Sequence, residues 1–151
     1  KIASSPMYSN VEIVDLSSNL AKEGSVDAVI TFRNLHNWLG PQMDSIFANS
    51  FKALRPGGIF GVVEHRANPG TSMEEMKKSG YVTEEHAIKV AKKHGFTLVS
   101  KSEINANNKD TKNHPKGVWT LPPNLRLKDV EKEKYIAIGE SDRMTLLFKK
   151  P

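Results

Sequence analysis

Two short groups of polar side chains carry most of the chemistry this sequence could perform. Arg33, Asn34, His36 and Asn37 follow the apolar run Asp27-Ala28-Val29-Ile30-Thr31-Phe32, and Glu64, His65 and Arg66 close the run Ile59-Phe60-Gly61-Val62-Val63. A histidine titrates near neutrality, so His36 or His65 could take a proton from a reacting group, and Glu64 could assist. His36 reads either as a pocket group or as a structural histidine. Arg66 could hold an anionic substrate through paired hydrogen bonds, or simply pair with a surface acid. Glu64 and His65 are neighbours in a strand, where successive side chains point to opposite faces, so only one of them is expected to enter a shared crevice. The five histidines, His36, His65, His86, His94 and His114, never fall at the short spacings of a metal site, and the chain has no cysteine, so no metal is expected.

The elements that must position these groups follow from periodicity. The run over 27–32 is continuous, apolar and partly β-branched, the pattern of a parallel strand buried on both faces. Residues 59–64 form a second strand, dotted by Gly61, where a side chain would obstruct packing or the approach of a ligand. Val11-Glu12-Ile13-Val14-Asp15 alternates with the period of a strand and runs into the polar Ser17-Ser18-Asn19. Pro41 opens an amphipathic helix with Met43, Ile46, Phe47, Ser50, Phe51 and Leu54 on one face, stopped by Pro56-Gly57-Gly58.

Ser72 and Glu75 have capping-box spacing, which starts a short helix ending before Gly80. Thr83 caps another, with Glu84 and Glu85 in its first turn and Ala87, Val90 and Ala91 facing inward; Gly95 ends it, and His86 and His94 should lie on its exposed side. Residues 96–104 and 144–148 read as strands. Between 105 and 143 the chain turns polar and irregular, with Pro115, the Pro122-Pro123 pair and a weak helical pattern over 128–138. Long irregular stretches in compact domains are usually functional or mobile. Alternation of strands and helices specifies an α/β domain with a largely parallel sheet.

A chain of 151 residues, 38% hydrophobic and 26% charged, fits one globular domain. It opens on Lys1 without an initiator Met, a targeting peptide or a membrane-length apolar stretch, and is expected to be a fragment. The net charge of +5 is scattered, and Lys92-Lys93-His94 complements a helix C-terminus. With no stripe of basic and aromatic residues and no base-flipping motif, the sequence argues against a nucleic-acid substrate.

The turn Ala53-Leu54-Arg55-Pro56-Gly57-Gly58 entering a strand resembles the fifth-strand entry of class I S-adenosylmethionine-dependent methyltransferases. Thr31-Phe32-Arg33-Asn34-Leu35-His36-Asn37-Trp38, Val63-Glu64-His65-Arg66, the phrase from Asp110 to Trp119 and Gly139-Glu140-Ser141-Asp142-Arg143-Met144 resemble a group of predicted bacterial methyltransferases within it. The resemblance covers essentially the whole chain. It implies a sheet in the order 3-2-1-4-5-7-6, with the seventh strand antiparallel and the cofactor over the carboxyl ends of strands one, two and four. In that frame residues 11–15 are strand three, 27–32 strand four and 59–64 strand five, with the last two strands six and seven. The fold class is then α/β, a partial Rossmann-like methyltransferase sheet, mostly parallel with an antiparallel last strand. Residues 1–151 form a single truncated domain with a long insertion at 105–143.

Strands one and two would be missing, together with the Gly-x-Gly-x-Gly turn; no Gly-x-Gly occurs in the chain. Roughly 60 to 100 residues would precede it, since a βα unit takes about 30 or more. The resemblance implies S-adenosylmethionine contacts from Asp15, Leu16, Phe32, Arg33 and Asn34, although Asp15 reads equally as a turn aspartate. Position at the strand ends makes His65, Glu64 and His36 the catalytic candidates and Arg66 a candidate substrate contact; the resemblance, which places substrate elements between the last strands, adds Trp119, His114 and Arg143 in the insertion as a lid, although Trp119 could instead plug the core. The implied acceptor is a small molecule, and cytoplasm is the default compartment because the cofactor is made there. Cofactor binding by the chain alone should be poor. The open edge of strand 27–32 should pair with a second copy, rearrange the N-terminal segment or aggregate. The competing reading is a non-catalytic interaction module that uses that edge.

Overall fold

The computed structural model describes residues 5–151. Its strands are β1 (Val26–Phe32), β2 (Leu54–His65), β3 (Thr97–Ser102) and β4 (Arg143–Lys149). Its α-helices are α1 (Leu35–Trp38), α2 (Pro41–Ala53), α3 (Met73–Ser79), α4 (Glu84–Lys93) and α5 (Lys132–Ile138). The sheet order is β1-β2-β4-β3. β1 pairs parallel with β2, from Ala28 against Ile59 to Phe32 against Val63. β4 pairs antiparallel with both β2 and β3. β1, β2 and β3 therefore point one way and β4 opposes them, which is the order and sense expected of strands four, five, seven and six.

One face of this sheet is dry. Phe60, Val62, Met144, Leu146 and Phe148 project from it onto Leu35, Met43, Ile46 and Phe47 of α1 and α2 and onto Ala87, Val90 and Ala91 of α4. Phe60 centres the cluster, with Phe47 edge-on at 4.9 Å and Phe96 at 5.2 Å. The caps form as the sequence demands: Ser72 and Glu75 make a reciprocal capping box, Gly80 ends α3 in the left-handed conformation, and Thr83 accepts from the His86 amide.

The other face is open, which corrects the reading of 27–32 as a strand buried on both sides. Ile30 is 63% exposed and Phe32 62%, and no described strand lies beyond β1. Residues 11–15 form no strand; Val11, Ile13 and Val14 are exposed. An alternating pattern becomes a strand only where a neighbouring ladder accepts its backbone groups, and no described strand does so here. The helix stop also differs. α2 ends at Ala53, and Pro56-Gly57-Gly58 lies in the irregular entry to β2, where a Cβ on Gly58 would sit 2.9 Å from the Arg55 carbonyl. A Cβ on Gly61 would meet Ile30 at 3.3 Å, so that glycine serves strand packing. The weak helical pattern over 128–138 narrows to α5. His94 Nε2 sits 2.8 Å from Asp44, and His86 Nε2 is buried without a partner, so neither histidine is simply solvated.

The 105–143 stretch is held by a charged knot. Arg66, at the end of β2, donates to both carboxylate oxygens of Asp142 at 3.0 and 2.9 Å, to both of Glu103 at 2.9 and 2.7 Å, and to Glu84 at 3.1 Å. Asp142 also takes Lys112 at 2.7 Å and the Asn107 amide at 3.0 Å. Behind it, Asp110 accepts from the Tyr81 hydroxyl at 3.0 and 3.1 Å and from the Asp142 amide at 2.8 Å, and lies 2.8 Å from His114 Nε2.

Burial alone would raise the Asp142 pKa, but hydrogen bonds from Arg66, Lys112 and the Asn107 amide outweigh it and bring the group down to about 2. A carboxylate held below its unfolded value stabilises the fold above that value and loses the contribution as pH falls through the folded one. Stability should therefore drop between about pH 4 and pH 2, a slope that Asp142→Asn flattens in guanidinium unfolding curves. At pH 7 the same variant, leaving Arg66 and Lys112 short of a buried partner, should lose about 3 kcal/mol.

Candidate functional site

The carboxyl ends of β1 and β2 lie side by side because the two strands are parallel. Past Phe32 the chain turns sharply: Arg33 adopts a left-handed conformation with φ of 51°, and its amide donates to the Val63 carbonyl at 2.7 Å. That turn directs α1 back across the end of β2 and carries His36 over Glu64.

Glu64 is wholly buried. Its Oε2 accepts from the His36 amide at 3.1 Å, its Oε1 lies 3.1 Å from His36 Nδ1, and the same Oε1 accepts from the His65 amide at 2.7 Å. His65 Nδ1 is 2.5 Å from Ser141 Oγ, and its Nε2 is 4.0 Å from Glu64 Oε1. The two imidazoles are 5.4 Å apart between centroids, with Trp119 edge-on to His36 at 5.9 Å and Tyr81 edge-on to His65 at 6.2 Å. Burial pulls the His65 pKa down to about 4; Glu64 opposes this, while His36, Arg33 and Arg143 add to it. His65 is therefore neutral at pH 7.

A pocket of about 330 Å³ opens above this cluster, lined by Phe32, Arg33, His36, His65, Val118, Trp119, residues 121–124, Glu140, Ser141 and Arg143. Strand alternation holds: only His65 of the Glu64–His65 pair lines the pocket, and Glu64 acts from beneath through His36. Among the expected substrate contacts, Trp119 and Arg143 are pocket walls. Trp119 is half-buried, with the Arg126 guanidinium 4.9 Å from its ring. Arg143 pairs with Glu140, while its buried Nε has no hydrogen-bond partner among the described residues. Arg66 and His114 are held by other partners. Arg66 is saturated by three carboxylates, and His114 by Asp110 with Tyr135 edge-on at 5.9 Å; neither lines the pocket.

The expected cofactor residues divide in the same way. Phe32 and Arg33 reach the pocket. Asn34 turns its side chain to Asn37 at 2.7 Å, and neither it nor Asp15 nor Leu16 lines the pocket. Asp15 is exposed and accepts from the Ser17 amide at 2.7 Å and hydroxyl at 2.5 Å, which makes it the turn aspartate of the two readings. Of the five expected cofactor residues, Phe32 and Arg33 are thus the two that line the pocket.

Two participants escaped the sequence. Ser141 and Tyr81 sit in polar stretches with no diagnostic spacing, and only contact with His65 across 76 residues and 16 residues respectively reveals them. The histidine spacing rule likewise missed the grouping of His36, Glu64 and His65, one donor atom of each lying within 4.8 Å of the others. Residues 28 apart along the chain meet only through the sheet.

No family model matches the chain, and no curated protein matches it. Solved structures do. The [4+2]-cyclase SpnF is 15% identical with a TM-score of 0.59, over 93% of this chain and 55% of its own. A geranyl diphosphate methyltransferase in complex with SAM is 13% identical with a TM-score of 0.59, over 93% and 57%. Geranyl diphosphate C-methyltransferase from Streptomyces coelicolor A3(2) is 10% identical with a TM-score of 0.58, over 93% and 52%. The chain spans about 55% of the first of these. The chain thus shares, over most of its length, the fold of part of these solved methyltransferases and of the cyclase.

Proposed function

We propose that the chain is the acceptor-binding, C-terminal portion of a methyltransferase that moves the methyl group of S-adenosylmethionine to a small molecule. The observation that carries this reading is the pocket at the carboxyl ends of β1 and β2, where open α/β sheets bind their ligands. At about 330 Å³ it matches the lower end of small-molecule sites. Use of S-adenosylmethionine is supported by the similar structures that hold it or S-adenosyl-L-homocysteine.

The cofactor supplies an electrophilic methyl group; this chain's residues have to orient the acceptor and handle its proton. Trp119 and Phe32 offer flat apolar walls, and Arg33 and Arg143 favour an acceptor carrying negative charge. His65, neutral and held by Ser141 at Nδ1, presents Nε2 as the proton acceptor. Glu64 positions His36, fixing both its backbone and its ring.

A second reading rests on a separate observation, the exposed apolar residues Ile30 and Phe32 on an unpaired edge strand. In that reading the chain is an interaction module and β1 is its contact.

Calorimetry of residues 1–151 with S-adenosylmethionine should show negligible binding; micromolar affinity would overturn the account of the incomplete cradle. In the complete reading frame that contains this sequence, labelled methyl transfer to a panel of small acceptors should fall about 100-fold in kcat on His65→Gln. Turnover unaffected by that change removes His65 from the chemistry. The edge reading expects residues 1–151 to sediment as a dimer or larger at tens of micromolar. Ile30→Lys should then restore the monomer without lowering Tm, whereas a monomeric wild type discards it.

A further inference from the structure

We propose that His36, Glu64 and His65 form a binding site for one divalent transition-metal ion, with Zn²⁺ as the best match. A wholly buried carboxylate is costly unless it is paired, protonated or bound to a cation. Among the described residues no Lys or Arg reaches Glu64, whose titratable neighbours are the two imidazoles alone.

The donor atoms are placed for one ion. Glu64 Oε1 stands 3.1 Å from His36 Nδ1 and 4.0 Å from His65 Nε2. Ligands about 2.0–2.2 Å from a tetrahedral Zn²⁺ lie roughly 3.4 Å from one another, so of the three separations the Glu64–His36 one is already met, the Glu64–His65 one needs a contraction of roughly half an ångström, and the two imidazoles, with donor atoms within 4.8 Å, must close by a side-chain adjustment. Two nitrogens and one carboxylate oxygen are a donor set that zinc accepts.

The surroundings orient these donors as the partners of metal ligands do. Ser141 Oγ at 2.5 Å holds His65 Nδ1 and leaves Nε2 turned to the carboxylate. The amides of His36 and His65 fix the two oxygens of Glu64. His36 and His65 both line the pocket, so the fourth coordination position would face the cavity, the arrangement of catalytic rather than structural zinc.

The site does not depend on the methyltransferase reading. If both hold, the ion would bind the acceptor's oxygen and lower its pKa, and with His65 Nε2 occupied as a ligand the proton would pass to solvent water. The rival occupant of the cluster is a proton shared between Glu64 and His36.

The test uses chelator-treated residues 1–151 and Co²⁺ alone as a visible probe, with Zn²⁺ as competitor. One equivalent of Co²⁺ should develop the ligand-field bands of a four-coordinate site, and Zn²⁺ should displace it and raise Tm. His65→Ala should weaken Zn²⁺ about 100-fold, and Ser141→Ala about tenfold through ring orientation. Circular dichroism checks that both variants are folded; Ser141→Ala replaces only a hydroxyl and decides the case if His65→Ala unfolds. Absence of binding by the wild type, or binding as tight in both folded variants, overturns the proposal. Since no step involves S-adenosylmethionine, loss of the methyltransferase reading would leave the result standing.

Discussion

The buried carboxylate of Glu64 is the constraint on which the site rests. α1 has only four residues, and its N-cap Asn34 makes no capping bond. The first amides of any helix lack intrahelical partners, and here Glu64 accepts from that of His36 across 28 residues. One side chain near the end of β2 thereby caps the start of α1 and sets the ring of His36. Were Glu64 apolar, the sheet and α2 could still pack through Phe60 and Phe47, but nothing would hold the histidine over the strand end.

A second constraint acts on the irregular segment 105–143. Its backbone satisfies few groups through regular structure, so side chains do the work: Asn107 Nδ2 donates to the carbonyls of Ile138 at 2.8 Å and Glu140 at 2.6 Å, and Thr120 accepts from the Lys116 amide at 3.0 Å. The Arg66–Asp142–Lys112 group closes both ends of the segment on β2. A small apolar cluster of Ala67, Tyr81 and Val118, with Trp119 against it, forms its floor. The charges therefore act as framework rather than as recognition, which is why Arg66, so exposed in appearance along the sequence, is withdrawn from the pocket.

Helices α2, α3 and α4 and strands β1, β2 and β4 were legible because their signals are local. A Ser72–Glu75 pair caps whatever follows it, and a 3.6-residue apolar stripe needs only a sheet face to lie on. Residues 11–15 carried the same kind of signal and form no strand, since a strand is a property of two segments and the sequence pattern describes one. The site was half legible for the same reason. Position at a strand end brought out His36, His65, Phe32 and Arg33. Pairings between distant residues, Ser141 with His65 and Asp110 with His114 and Tyr81, leave no mark in spacing, and the partners that engage Arg66 and His114 are ones that only the fold supplies.

The direction of β4 explains why these parts meet at one end. β3 runs in the sense of β1 and β2, so it finishes, at Ser102, on the side where Phe32 and His65 finish. β4 runs against them and must begin there, with Arg143 opposite His65. Every residue between β3 and β4 is consequently tethered at both ends to the rim of the pocket. Lengthening or rewriting that segment changes the walls supplied by Trp119, Ser141 and Arg143 while leaving the ladder and the Phe60 core untouched. A fold of this topology can thus change what it admits without changing what holds it together.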